Sequence, residues 1–157
     1  MTESVRDAAA SPPRDAAIYL DSSAFVKLYV PEPESERIDA FLRGRTGLAI
    51  SELVITEALS AVARRKREGA LGAGAANEIR EAMLADAASG SFDVLDLTPN
   101  THREAERLLF ATDSLPLRTL DALHIALAMS CSATCVITFD RRMREAAALV
   151  GFRTEPF

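Results

Sequence analysis

The chain has few of the residues that build disulfide frameworks or zinc sites. Only two cysteines, Cys131 and Cys135, and two histidines, His102 and His124, occur among its 157 residues. The cysteines lie four positions apart and fit buried, reduced thiols better than a disulfide or a metal site. With so few sulfur and imidazole ligands, any bound metal must be held mainly by oxygen, which favours a hard ion such as Mg²⁺ or Mn²⁺.

Long apolar runs are also lacking, and none approaches the roughly 18 residues that a membrane-spanning helix needs. The first segment, MTESVRDAAASPPRDAA, alternates charge with alanine and has no apolar core of the kind found in secretory signals. We therefore expect a disordered tail over residues 1–16, a single domain over residues 17–157, and a cytoplasmic protein with no membrane partner. The length suits one domain with a substantial core.

Positive charge is in deficit, since 18 Lys and Arg face 23 Asp and Glu and the net charge is −5. Bulk electrostatic attraction therefore does not bring this chain to nucleic acid. One local basic run occurs at the end of a predicted helix and comprises Arg64, Arg65, Lys66 and Arg67. These cations suit the negative end of the helix dipole, and they are also candidates for contact with nucleic-acid phosphates.

Strand and helix patterns alternate along the whole chain. Short β-rich segments such as AIYL and CVITF are separated by amphipathic or alanine-rich helical segments, and the final GFRTEPF is expected to be a tail. This alternation predicts an α/β fold, a three-layer α/β/α sandwich around a central parallel sheet. The segment LDALHIALAMSC is apolar on every side, which predicts a helix that is buried all round.

Two aspartates directly follow strands, Asp21 after the first and Asp140 after the last strong one. Ligands of open parallel sheets bind beyond the carboxyl ends of the strands, so both side chains are expected at one crevice. Each aspartate alone also fits a helix N-cap. Ser22 and Thr138 lie close to them in sequence, and their hydroxyls either orient a carboxylate or serve as ordinary caps.

Two further acids occupy unusual positions on predicted helices. Asp121 lies in the first turn of the all-apolar helix, where the dipole favours an anion but burial demands a partner. Glu57 lies between Leu53 and Ala61, at the edge of the apolar arc of the long helix, and alone it fits a boundary glutamate. Clustered carboxylates repel one another unless a cation neutralises them. A divalent ion held by several carboxylates is a recurring arrangement for phosphodiester hydrolysis, because it activates water and stabilises the leaving oxygen.

Four segments resemble, in order, the motifs of PIN domains, and more narrowly those of the VapC toxins: YLDSSAFVKLYVPEPES, the helix around Glu57, LRTLDALHIALA and VITFDRRM. The resemblance covers about residues 18–152. It implies a four- or five-stranded parallel sheet between helices and an endoribonuclease that depends on Mg²⁺ or Mn²⁺. It also implies a homodimer paired partly through the segments AFVKLYV and AFL, and inhibition by a small VapB-like antitoxin.

By position, the resemblance assigns an acidic quartet that binds the metal and cleaves RNA, with two supporting hydroxyls: Asp21, Glu57, Asp121 and Asp140, then Ser22 and Thr138. All four acids are present, which argues against the alternative of a catalytically silent PIN-like module that binds RNA or protein. His124 falls within one of the motifs and fits a satisfied core histidine better than a catalyst.

Two other phosphate-handling classes fit less well. A receiver domain needs a lysine near its acids, but the only lysines, Lys27 and Lys66, fall within predicted helices. A haloacid-dehalogenase-type phosphatase has Asp-x-Asp after its first strand, where this chain reads Asp21-Ser22-Ser23.

Overall fold

One parallel sheet forms the centre of the protein. The computed structural model describes residues 12–111 and 117–155. Within these ranges five strands pair in the order β3-β2-β1-β4-β5, all parallel: β1 (Ile18–Leu20), β2 (Leu48–Ser51), β3 (Asp93–Leu95), β4 (Cys135–Ile137) and β5 (Arg153–Glu155). The predicted α/β class with a central parallel sheet is confirmed.

Helices connect the strands and cover both faces of the sheet. Over the described ranges they are α1 (Ser22–Val26), α2 (Ser35–Leu42), α3 (Glu52–Arg67), α4 (Ala73–Ala88), α5 (Pro99–Ala111), α6 (Thr119–Ser130) and α7 (Arg141–Val150). The chain runs from β1 outward to β3, then returns to β4 on the other side of β1. Because parallel crossovers are right-handed, this reversal places α5, α6 and α7 on the face opposite α1, α3 and α4. The result is the predicted three-layer sandwich.

The helix α6 is the central element of one layer. Every residue from Ala122 to Ala128 is buried, and only its ends show apolar surface, at Leu120 and Met129. Its apolar character on all sides follows from this position, since it packs against α5 and α7. The prediction of a helix buried all round is confirmed for its middle two turns.

Two local features differ from the sequence-based expectation. From the sequence, Ser22 or Ser23 is also a candidate N-cap of α1, but the cap is Asp21, whose side chain accepts the Ala24 N–H. The expected C-terminal tail contains β5, in which Arg153 pairs in register with Cys135 of β4. This strand has no buried side chain of its own, so its pairing with β4 is what makes it a strand.

The start of the described chain packs against the loop that follows α2. The Arg45 guanidinium donates to the carbonyl oxygens of Pro12 and Pro13, and the Thr46 N–H donates to the Arg14 carbonyl. Of the tail predicted over residues 1–16, residues 1–11 lie outside the described residues. Residues 12–16 are held by these contacts.

The apolar segments expected to pair two protomers are divided between the core and the surface. Phe25, Val26, Val30 and Leu42 are all buried in the single chain. Leu28, Tyr29 and Phe41 of the same segments are only partly buried. The role of AFVKLYV and AFL in pairing therefore stays a prediction. Within the described ranges, no helix combines the length and the apolar character needed to cross a membrane.

Candidate functional site

A cleft of about 430 Å³ lies at the carboxyl end of the sheet, beside the point where the strand order reverses. All four acids of the predicted quartet line it: Asp21, Glu57, Asp121 and Asp140. They come from four elements, since they follow β1, lie on α3, lie in the first turn of α6 and cap α7. The topology therefore brings together side chains that are far apart in sequence, as expected for a switch point of a doubly wound sheet.

Asp21 is the most buried member, with only 4% of its surface exposed. Its Oδ1 accepts hydrogen bonds from Ser23 Oγ at 2.6 Å and from the Ala24 N–H at 3.0 Å. Its Oδ2 accepts one from Thr138 Oγ1 at 2.5 Å. Burial raises the pKa of Asp21 above its ordinary value, although these hydrogen bonds and the nearby His124 act in the opposite direction.

Hydroxyl groups link the two aspartates that follow strands. Thr138 Oγ1 donates to Asp21 and accepts the Asp140 N–H at 3.1 Å, so it joins both residues as the sequence suggested. A second hydroxyl in direct contact with Asp21 is that of Ser23, which also accepts the Phe139 N–H at 2.8 Å. Sequence reasoning chose Ser22 and missed Ser23, whose position two residues after an N-cap aspartate was the available signal.

Ser22 instead hydrogen-bonds to Glu57 on α3. It therefore supports a different carboxylate of the same cleft from the one expected. Ser22 and Ser23, adjacent in α1, are each directed at one acid.

Three helix N-termini meet at this cleft. Asp21 caps α1, Asp140 Oδ1 accepts the Met143 N–H of α7 at 3.0 Å, and Asp121 Oδ2 accepts the Arg118 N–H at the start of α6 at 3.3 Å. Helix N-termini carry partial positive charge, and their unpaired N–H groups favour anions. These helix N-termini therefore offset part of the repulsion among the three aspartates.

Glu57 ends a chain of buried hydrogen bonds. Its Oε2 lies 2.6 Å from Nε2 of His124, whose Nδ1 lies 2.8 Å from the Tyr19 hydroxyl. That hydroxyl lies 3.0 Å from Ser51 Oγ. Burial acts to raise the pKa of Glu57, but hydrogen bonds from His124 and Ser22 and the charge of His124 outweigh it, and the net pKa is lowered. His124 is 4% exposed with both ring nitrogens partnered, as expected for a satisfied core histidine, and it also lines the cleft.

The donor set of the cleft suits a hard divalent cation, because four carboxylates supply only oxygen ligands. Over residues 12–111 and 117–155, no three acidic, histidine or cysteine side chains lie close enough together to hold a metal ion. Each carboxylate accepts a hydrogen bond from a local donor. Mutual repulsion between the carboxylates favours this separation. The residues therefore fit the chemistry of Mg²⁺ or Mn²⁺ in kind, and side-chain movement would be needed for them to converge on one ion.

The basic run divides between two surfaces. Arg64 and Arg65 line a second cleft, of about 390 Å³, which shares Ser22, Ser23, Glu57 and Asp140 with the first. Arg65 forms an ion pair with Glu32, which also binds Lys27. Lys66 faces a separate hollow between α3 and α4, and the exposed Arg67 lines neither acidic cleft. The structure thus brings two of the four predicted residues to the site and leaves the other two away from it.

Comparison with known proteins gives a consistent result for sequence and fold. The sequence model of the PIN domain matches residues 18–149. Ribonuclease VapC46 of Mycobacterium tuberculosis (strain ATCC 25618 / H37Rv) is 39% identical over 138 residues, which cover 87% of this chain and 94% of that protein.

Solved structures share the fold at lower sequence identity. VapC20 of Mycobacterium tuberculosis, a Sarcin-Ricin loop cleaving toxin, has a TM-score of 0.68 at 20% identity, over 87% of this chain and 96% of that one. VapBC2 from Rickettsia felis, bound to a DNA fragment from its promoter, has a TM-score of 0.63 at 16% identity, over 90% and 98% of the two chains.

Proposed function

This chain belongs to the PIN domain family, among its VapC ribonucleases, and we propose that it is an endoribonuclease that depends on Mg²⁺ or Mn²⁺. One observation carries the proposal: four carboxylates on four separate elements line a single cleft at the switch point of the sheet. Gathering like charges is unfavourable for folding. Such clusters therefore point to a functional site.

The carboxylates of Asp21, Asp121, Asp140 and Glu57 would hold the ion. When bound, a divalent cation lowers the pKa of water and stabilises charge on the leaving oxygen of the phosphodiester. Thr138 joins Asp21 and Asp140 through one hydroxyl, and Ser23 and Ser22 hydrogen-bond to Asp21 and Glu57, respectively. This network limits the rotamers open to the carboxylates, which lowers the entropy cost of the side-chain movement that would bring them onto one ion.

The second cleft is the proposed path for the RNA backbone next to the cleavage site. It continues from the acidic cleft through shared residues and presents Arg64 and Arg65. A phosphate beside the scissile one would meet these guanidinium groups, whereas the carboxylates alone would repel it. The negative net charge of the whole chain makes such a local cationic surface necessary for binding.

Two protein partners are part of the proposal. The relatives are VapC ribonucleases, one structural neighbour is the toxin VapC20 and another is VapBC2 bound to promoter DNA, so we propose a cognate VapB-like antitoxin and a toxin–antitoxin role. We also propose a homodimer, for which Phe110 at the end of α5 is the most exposed large apolar side chain in the described ranges, at 90%. An isologous contact is the commonest symmetric arrangement.

The test is cleavage of a labelled structured RNA by the purified protein with Mg²⁺, with Mn²⁺ and with excess EDTA. Cleavage should require the cation and should fall by orders of magnitude in Asp21→Asn and Asp121→Asn. Asp39→Asn is the matched control, because it makes the same chemical change on the exposed face of α2 and should leave the rate unchanged.

Two results would count against this function. Cleavage that persists in excess EDTA, and is absent from Asp21→Asn prepared in the same way, would show a metal-independent enzyme. A folded protein that binds RNA with all four acids intact and never cuts any RNA would support the silent binding module instead.

A further inference from the structure

Four residues from the interior of the sheet to the acidic cleft form one continuous chain of hydrogen bonds. Ser51 ends β2, Tyr19 lies in β1, His124 in the buried helix α6, and Glu57 in α3 at the cleft. Tyr19, Ser51 and His124 are each no more than 4% exposed, whereas the Glu57 side chain is 24% exposed. The chain therefore connects three buried elements to a single side chain that reaches solvent.

The chemistry of the groups fixes the direction of the hydrogen bond at the cleft. An ionised carboxylate can only accept, so Nε2 of His124 must carry the proton shared with Glu57. Nδ1 of the same ring lies within hydrogen-bond distance of the Tyr19 hydroxyl, and that hydroxyl contacts Ser51 Oγ, which accepts the Val54 N–H at 3.2 Å. Both ring nitrogens of His124 are therefore partnered, and the proton on Nε2 is directed at Glu57.

We infer that His124, held by Tyr19, is a positioning residue that fixes the Glu57 carboxylate at the edge of the cleft for cation binding. This inference rests on the proposed metal-dependent function. A free glutamate side chain samples many rotamers, and a ligand must order it on binding. Between the His124 ring and Ser22, Glu57 is already ordered. Each carboxylate oxygen has two acceptor positions, so the bond from His124 leaves Oε2 able to bind a cation as well.

Packing alone gives no reason for an imidazole at this place. The other residues of α6 from Ala122 to Ala128 are alanine, leucine or isoleucine, and burying a polar ring among them is unfavourable unless it is fully hydrogen-bonded. The ring is oriented by a hydroxyl on one side and directed at a cleft carboxylate on the other. Groups that hydrogen-bond to metal ligands in this way commonly change metal affinity or activity 10- to 100-fold when altered.

A pair of His124 variants separates positioning from packing. In His124→Gln the side-chain amide can take the place of Nε2 and still donate to Glu57, whereas in His124→Asn the shorter amide reaches only toward Tyr19. Calorimetry of Mn²⁺ binding to the unloaded protein should show a loss of about tenfold or more for His124→Asn and much less for His124→Gln. In RNA cleavage at fixed Mn²⁺, kcat should follow the same order while KM stays near the wild-type value.

Tyr19→Phe tests the same chain from its buried end and should weaken Mn²⁺ binding less than His124→Asn does. Tyr29→Phe is its matched control, because it removes a hydroxyl bound to Asp86, away from the cleft, and should leave Mn²⁺ binding unchanged. If His124→Asn does not fold by circular dichroism, the comparison of the two tyrosine variants decides the question.

Each failure has its own signature. Equal Mn²⁺ affinities for folded His124→Asn and His124→Gln, or for Tyr19→Phe and Tyr29→Phe, would overturn the positioning role while the wild type still binds Mn²⁺ and cuts RNA. A wild-type protein that binds no Mn²⁺ would overturn the proposed function and this inference with it.

Discussion

Asp21 and Asp140 each cap a helix and line the cleft at the same time. The sequence left two interpretations for each aspartate, a helix cap or a functional acid, and one carboxylate can serve as both. The cap uses one oxygen of each group. For Asp21 the other oxygen binds Thr138, which ties the cap of α1 to the cap of α7.

The first prediction is that Asp21→Asn separates activity from stability. Asparagine is a good N-cap, so it keeps an acceptor for the Ala24 N–H, and it removes a buried charge from a group of like charges. Without divalent ions at neutral pH, the melting temperature should equal or exceed that of the wild type while cleavage is lost. If the variant unfolds, Asp21 is chiefly a structural cap. If it folds and cleaves RNA normally, the hypothesis that these acids form the catalytic site is wrong.

The pH dependence of stability gives a second test at Asp21. Since burial raises its pKa in the folded protein, the stability that this group contributes is fully present below its ordinary pKa of about 4. It is lost as the pH rises through the raised pKa of the folded state. Urea unfolding in EDTA should show that the free energy of unfolding of Asp21→Asn rises relative to that of the wild type as the pH increases from the ordinary pKa through the raised pKa. A difference that does not change with pH would contradict the raised pKa.

The third prediction concerns Arg64, which lines the second cleft and has no ion pair with Glu32 of the kind that Arg65 makes. Arg64→Ala should weaken RNA binding and reduce the slope of log affinity against log salt by about one. Arg67→Ala, a change in the same run away from the acidic clefts, is the control and should change neither. Mn²⁺ affinity should be the same in both variants. Equal salt slopes for the two variants would show that Arg64 does not contact RNA and is only a solvated cation at the end of α3.

At the scale of elements, the helices that bear the site acids have distinct boundary signals. The helix α7 begins at the Asp140 cap and ends at Gly151, whose φ of 105° lies in the left-handed region. The Phe152 N–H then donates to the Ala147 carbonyl, closing the end of the helix before β5. This end sets the direction in which the chain enters the edge strand.

The fourth prediction compares two glycines. Gly151→Ala should lower the free energy of unfolding by about 1 kcal/mol, because a residue with a Cβ atom is strained at the positive φ of this position. Gly74→Ala makes the same change inside α4, with nothing within 4 Å of the added methyl group, and should be neutral or stabilising by up to about 1 kcal/mol. Chemical denaturation of both variants measures the difference, and equal effects would contradict the backbone argument.

For the whole molecule, the order of strands determines where the site forms. The reversal between β1 and β4 leaves a crevice at their carboxyl ends, and Asp21 and Thr138 directly follow these two strands. The crevice is completed by α3 and α6 from opposite faces of the sheet. A cation bound there would connect both layers.

The fifth prediction is a global one and concerns association. The protein should sediment at micromolar concentration with twice the 16.9 kDa mass of one chain, and Phe110→Ser should shift it toward the monomer. Leu149→Ser is the control, an exposed apolar side chain on α7 that should have no effect. A stable monomer of the wild type at that concentration would contradict the proposed homodimer.

The sequence by itself determined the class of the fold and the identity of the acids in the cleft. Apolar runs that end in aspartate predicted β1, β4 and the positions of Asp21 and Asp140, because strand periodicity and helix capping are local properties. The all-apolar segment predicted a buried α6 with Asp121 in its first turn. Such patterns depend only on residues that are close in sequence, so they can be interpreted without knowledge of distant contacts.

Only the tertiary structure decided which side chains meet. No local pattern shows that Tyr19, His124 and Glu57 form one chain of hydrogen bonds, that Ser23 rather than Ser22 binds Asp21, or that Arg64 and Lys66 face different surfaces. The strand β5 likewise has no apolar alternation and exists through its pairing with β4. These features depend on strand order, helix rotation and pairing register, which are set by the packing of the whole chain.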